Sequence, residues 1–139
     1  MAINVKEIMD SIQLTARTEN DFGERKPYST EYSSRRINVY KEQPQLVIMG
    51  AGSYGKKICS ILSMEGLEDR IVCLCDNSIS RQGTKYNGWN IYSPQQAYEK
   101  FPKAMFIITP KGFEDEMIRQ LVHLGVDIEK ISTFILAYK

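Results

Sequence analysis

Residues 45–55, QLVIMGAGSYG, run from an unbroken apolar stretch into three glycines spaced G-x-G-x-x-G, and a helical pattern begins at once. An apolar run that ends in glycine reads as a short buried strand. Beyond the glycines, Tyr54, Ile58, Ile61 and Leu62 recur at helical spacing as far as Gly66, a C-terminal stop signal. Each glycine of the turn then has a mechanical reason. Gly50 permits the tight turn, Gly52 leaves open the place where a pyrophosphate would approach, and Gly55 lets helix and strand pack closely. The backbone N–H groups of Ser53 and Tyr54, at the positive end of the helix dipole, would form an anion site. Asp76 stands twenty-one residues beyond Gly55, at the end of the next apolar run. An acid there would accept hydrogen bonds from ribose hydroxyls and repel a 2′-phosphate, which favours NAD over NADP. The alternative is a strand–turn–helix kept for packing alone.

The pattern continues along the chain. RIVCLCD (70–76) reads as a second strand, in which Cys73 and Cys75 share a face with Ile71. SISRQGTKYNG (78–88) is a polar connection of turn chemistry, expected to form a loop or a single turn, and WNIYS (89–93) is a short third strand. Ser93 and Gln96 form a Ser-x-x-Gln capping box with Pro94 at the first helical position. AMFIITP (104–110) is a fourth strand, and the helix after it carries Phe113, Met117, Leu121 and Leu124 on one stripe with acids in its first turn. ISTFILAY (131–138) is a fifth strand. Strands alternating with helices imply an α/β fold: a doubly wound, Rossmann-like parallel sheet of five strands in the order 3-2-1-4-5. The loop Thr109-Pro110-Lys111-Gly112 then faces the glycine turn across the switch point. There Thr109 and the amides beside Pro110 could contact ribose or phosphate, and Lys111 could neutralise charge. A plain strand-to-helix turn is the competing reading.

Residues 1–44 differ in character, so the chain divides into an N-terminal helix and tyrosine-rich arm (1–44) and the nucleotide-binding domain (45–139). Ile3, Val5, Ile8, Met9, Ile12 and Leu14 predict a short amphipathic helix, which could cover the side of the sheet left thin by the loop after the second strand. The following segment, with Tyr28, Tyr32, Tyr40 and the pair Arg35-Arg36, reads as an arm packed on the main domain or on a neighbouring subunit in a homo-oligomer. A lid whose arginines touch a phosphate is the sharper alternative. Residues 1–45 carry seven basic and seven acidic side chains, and residues 46–139 eleven and ten. Neither part has a basic excess, so nucleic acid is not expected as a partner. With no apolar run long enough for a membrane span and no signal-peptide pattern, a cytoplasmic protein is expected. Three cysteines without a CxxC spacing read as core residues, and no metal site is expected.

The segments GAGSYGKKI, CDNS and RQGTKYNGWNIYSP resemble the nucleotide-binding module of polysaccharide-biosynthesis proteins. That module precedes the catalytic part of nucleotide-sugar dehydratases, and related versions stand at the N-terminus of sugar acyltransferases. The resemblance covers about residues 45–135 and implies NAD or a nucleotide sugar as ligand. By this resemblance Gly50, Gly52, Ser53, Tyr54 and Gly55 match the phosphate turn, Asp76 the ribose acid, and Arg81 a basic position in the next loop. Asn77, within CDNS, joins the expected cofactor-binding set.

Residues for chemistry are harder to find. None of the eight tyrosines is followed four residues later by lysine, the pair that dehydrogenases and dehydratases of this kind use for proton transfer. There is no G-x-S-x-G, H-E-x-x-H or G-x-x-x-x-G-K-[ST]. His123 lies off the apolar stripe of the last helix and is not expected to act as a base. The reading that follows is a nucleotide-binding module that does not catalyse by itself. The alternatives are an NAD-dependent nucleotide-sugar dehydrogenase or dehydratase completed by another region or partner, and a ligand-sensing interaction protein. A Rex-like repressor is disfavoured because residues 1–44 show no basic recognition helix.

Overall fold

The computed structural model describes residues 30–135, with side chains from Ser34 onward. The amphipathic helix expected over residues 3–14, and Tyr28, lie outside the described residues. Helix α1 (Thr30–Lys41) leads into strand β1 (Leu46–Met49), and helix α2 (Ser53–Met64) into β2 (Ile71–Cys75). Next come β3 (Lys85–Tyr86), β4 (Trp89–Tyr92), α3 (Pro94–Lys100), β5 (Met105–Ile108), α4 (Glu114–Leu124) and β6 (Ile131–Thr133). The sheet order is β3-β4-β2-β1-β5-β6, and every pairing but β3–β4 is parallel.

The architecture is α/β and Rossmann-like, but the sheet has six strands, so both strand count and order differ from the expected five-stranded 3-2-1-4-5. The difference is β3, which lies in the connection expected to be a loop or a single turn and pairs as a hairpin with β4, the expected third strand. Its two-residue turn is Asn87-Gly88, with φ of 54° and 86°. Asn-Gly takes positive φ at both central positions, and the resulting turn matches the twist of the flanking strands. Tyr86 accordingly pairs with Trp89, and Lys85 with Asn90.

Strand β1 is buried along its whole length because both of its neighbours are strands and both faces carry helices. On one face, Ile37 and Tyr40 of α1 and Ile58, Ile61 and Leu62 of α2 pack on Leu46, Ile48, Leu74 and Ile107. On the other, Ala97 of α3 and Leu121 of α4 pack on Val47, Met49, Phe106 and Ile108. Cys73 and Cys75 share this second face, but Ile71 belongs to the first. The register explains it: Leu46 pairs with Ile71 and Val47 with Cys73, so β2 holds one extra residue there. A single inserted residue shifts the two-residue alternation and sends Ile71 to the opposite side. The capping box stands as expected, with the Gln96 amide donating to Ser93 Oγ and the Ser93 amide to Gln96 Oε1.

The arm segment is helical from Thr30, and it belongs to the core. Tyr40 is fully buried, its hydroxyl lies 2.8 Å from Ser132 Oγ on β6, and its ring stands 6.3 Å from that of Phe134. Arg36 is buried beside it, and neither Arg35 nor Arg36 lines the cleft described below, so the phosphate-lid alternative has no support in this arrangement. Burial raises the Tyr40 phenol above its ordinary pKa of 10.0, against the opposing charge of Arg36. The phenol is therefore protonated in the folded state where it would ionise in the unfolded one. This stabilisation is complete below pH 10 and is lost as pH rises through the raised value.

Two outcomes are expected. Tyr40→Phe leaves the buried Ser132 hydroxyl without this partner and costs about 1–2 kcal/mol near neutral pH, measured by urea denaturation, with a shallower loss above pH 10 than the wild type. The thiols of Cys59 and Cys73 are pushed up to about 12 by burial, and Cys75 well above 9.0. All three should therefore resist a chromogenic disulfide reagent at pH 8 until denaturant is added.

Candidate functional site

The cleft lies at the carboxyl ends of β1, β2 and β5. It falls where the chain, having run from β1 to β2 and β4 on one side, crosses to β5 on the other. In open α/β sheets this reversal leaves a crevice that no crossover covers. The cleft measures about 230 Å3 and is lined by Gly50, Gly52, Ser53, Tyr54 and Gly55 of the turn and α2, with Asp76 and Arg81 on one side and Thr109 and Pro110 on the other.

The turn is built by close approach. Gly50 has φ of 107°, and a Cβ there would lie 2.7 Å from both Pro110 Cγ and Thr109 Oγ1. A Cβ on Gly55 would overlap the Gly50 carbonyl oxygen and stand 2.7 Å from its carbon. Gly55 therefore lets α2 begin directly against the end of β1. Helix α2 starts from Gly52 with no side-chain cap and no acidic residue in its first turn. By contrast α3 is capped by Ser93, and α4 has Glu114, Asp115 and Glu116 in its first turn. A missing cap forgoes about 0.5–2 kcal/mol, and the positive end of the α2 dipole is left to the cleft.

Asp76 is 8% exposed, and its carboxylate is already engaged. Oδ2 accepts the Ala51 amide at 2.7 Å, and Oδ1 accepts the Ser78 amide at 2.7 Å. Arg81 Nη1 donates to Oδ2 at 3.2 Å. The acid expected to receive a ribose thus also anchors the glycine turn to the end of β2. Gln82 reinforces the loop by donating from Nε2 to the Asp76 carbonyl at 2.9 Å. Arg81 is half exposed, and it reaches across the turn. A Cβ placed on Gly52 would stand 3.5 Å from its Nη1 and 3.6 Å from its Nη2.

The structure thus gathers nine of the expected residues around one cleft and leaves out two. Asn77 points its amide to Gln120 of α4, donating at 2.9 Å and accepting at 2.7 Å, and does not line the cleft. Lys111 is exposed and does not line it either. Thr109 does, but its hydroxyl donates to the Met49 carbonyl at 3.0 Å, so its part is to hold the end of β1. Sequence reasoning missed Ser78 and Gln82, whose roles follow from an Asx-type turn after Asp76 that the run Asp76-Asn77-Ser78 could have suggested. Among the described residues no cluster of His, Cys, Asp and Glu could hold a metal, and no helix is long and apolar enough to cross a membrane.

Residues 42–132 match the family described as C2185-like, N-terminal. Among curated proteins nothing matches. Among solved structures the chain is similar to UDP-D-quinovosamine 4-dehydrogenase from Vibrio fischeri, at 22% identity over 66% of this chain and 78% of that one, with a TM-score of 0.53. It is also similar to RSP, a Rex-family repressor, at 17% identity over 89% of this chain and 69% of that one, with a TM-score of 0.53. A third structure, RSP in complex with β-NAD+ and operator DNA, aligns at 14% identity over 96% of this chain and 74% of that one, with a TM-score of 0.50. At these identities the likeness is one of fold. It nevertheless overturns the expectation that nucleic acid is excluded as a partner, since a protein of this fold is seen on DNA. Net charge sums over the whole surface, whereas DNA affinity follows the number of cations at the interface, so a balanced total does not exclude DNA.

Gly55→Ala should cost about 1–3 kcal/mol through backbone overlap, read as a fall in the unfolding midpoint. A midpoint equal to that of the wild type would mean that α2 does not need its close start against β1.

Proposed function

The chain belongs to the C2185-like, N-terminal family, and on that premise we propose that it is a nucleotide-binding Rossmann-like module that takes NAD or a nucleotide sugar in the cleft over the glycine turn. The observation that carries the reading is the convergence of an uncapped, acid-free helix N-terminus and a buried carboxylate on one cleft. Phosphate oxygens suit the first, and ribose hydroxyls suit the second. Gly50, Gly52, Ser53, Tyr54 and Gly55 cradle the phosphates, with Pro110 as the facing wall and Asp76 as the ribose acceptor. A cleft of about 230 Å3 is smaller than the roughly 300–1,000 Å3 of sites that enclose a whole drug-sized ligand. It takes the phosphate and ribose portion, while the remainder of the ligand lies outside the cleft along the carboxyl ends of the strands.

A place in nucleotide-sugar or surface-polysaccharide metabolism is supported by the sequence resemblance and by the fold shared with a UDP-sugar dehydrogenase. The module binds without completing a reaction by itself, in keeping with a sequence that has no Tyr-x-x-x-Lys pair. A second reading, an NAD-responsive regulatory protein, is favoured by one observation: the likeness to the Rex-family repressor spans 89% of this chain.

Thermal unfolding with NADH, NADPH, UDP-glucose and coenzyme A in turn tests the reading. A ligand at 100 times its dissociation constant should add about 2.7 kcal/mol of stability, seen as a rise of several degrees. A rise with UDP-glucose alone would place the module with sugar recognition and count against the NAD-responsive reading, and a rise with NADH alone would make NAD the ligand under either reading. No rise with any nucleotide would overturn nucleotide binding.

A further inference from the structure

Three donors converge on the Asp76 carboxylate: the amides of Ala51 and Ser78, and Nη1 of Arg81. A carboxylate offers about four lone-pair positions, so one acceptor position remains, on Oδ1. A ribose 2′,3′-diol brings two hydroxyl donors and needs two. The two amides are fixed by the turn and by the loop backbone. Arg81 is the one donor on a long side chain, and it is half exposed. Its guanidinium carries five N–H donors in a fork suited to phosphate, and it already lies across the open face of Gly52, where a diphosphate would approach.

We propose that Arg81 is a clamp that couples the two halves of the site. With the cleft empty it pairs with Asp76. When a diphosphate settles over Gly52, the guanidinium turns onto it and leaves Oδ2, which opens the second acceptor position for the ribose diol. A nucleoside alone meets an acid still held by Arg81, and a diphosphate alone gains the clamp without the ribose. The cleft therefore selects ligands that carry a diphosphate and an unmodified ribose diol together, and it disfavours nucleosides. The clamp presupposes that the cleft is a nucleotide site, as proposed above, and adds to it a rule for which nucleotides enter.

The test uses the whole chain and Arg81→Gln, titrated by 15N-HSQC with NADH or UDP-glucose, whichever binds the wild type more tightly, and with the matching nucleoside, adenosine or uridine. Arg81→Gln removes only the half-exposed end of the ion pair, and the amides of Ala51 and Ser78 still hold the buried Asp76 carboxylate, so the variant keeps its fold. The expected result is a crossing pattern. The diphosphate ligand weakens about tenfold or more in Arg81→Gln, and the nucleoside tightens, because Asp76 is released. Equal affinity of the two proteins for the diphosphate ligand, or a nucleoside that fails to tighten, overturns the clamp while nucleotide binding stands. A wild type that binds neither NADH nor UDP-glucose overturns nucleotide binding and the clamp with it. Arg81→Lys separates charge from geometry. It keeps the cation but loses the fork, so diphosphate affinity intermediate between wild type and Arg81→Gln is expected, and affinity equal to wild type would overturn the bidentate contact.

Discussion

The contact between Gly55 and the Gly50 carbonyl is the constraint on which the rest depends. Helix α2 runs back from the end of β1 only because no Cβ stands between its first turn and that carbonyl. With the helix in this place, Ile58, Ile61 and Leu62 reach one face of the sheet and its N-terminus opens onto the carboxyl ends of the strands. A larger residue at 55 would push the helix outward, and core and cleft would be disturbed together. Packing and site share one geometric requirement.

Asp76 supplies the second tie. Its carboxylate joins the glycine turn, the loop after β2 and Arg81. A buried carboxylate is costly unless its acceptors are used, and here the backbone amides of Ala51 and Ser78 meet much of that need. The same bonds keep the acid poised at the cleft edge. The two roles conflict in one respect: an acid that anchors its own turn has fewer acceptors left for a ligand. Arg81 is the one partner able to leave, which is why the chemistry of the cleft turns on a side chain that the core does not need.

The strand runs, most of the helix stripes and the capping box at Ser93 were legible because each depends on residues within one or two turns of one another. The glycine turn was legible for the same reason, and its acid from its place at the end of the next apolar run. Phe113, expected on the stripe of α4, is instead its exposed N-cap residue. The hairpin at β3–β4 had a signal, Asn87-Gly88 between Tyr86 and Trp89, but the polar residues around it read as loop. Helix α1 was obscured because only Arg36, Ile37 and Tyr40 of its described side chains are buried, too few to form a periodic stripe. The face of Ile71 was misread because a bulge leaves no mark in an alternating apolar pattern.

The sequence by itself determined the parallel strands and the helices between them, the glycines that the turn requires and the acid that follows β2, because steric demand and hydrophobic periodicity act over short stretches of chain. Tertiary structure alone decided which partners Asp76 would find. Ala51 is twenty-five residues away and reaches it only through the parallel pairing of β1 with β2. The path of the loop after β2 turned Asn77 toward α4 and laid Arg81 over Gly52, and the path of the loop after β5 left Lys111 outside the cleft. Those placements depend on register, bulge and loop path, quantities that arise when distant segments meet and that no local pattern encodes.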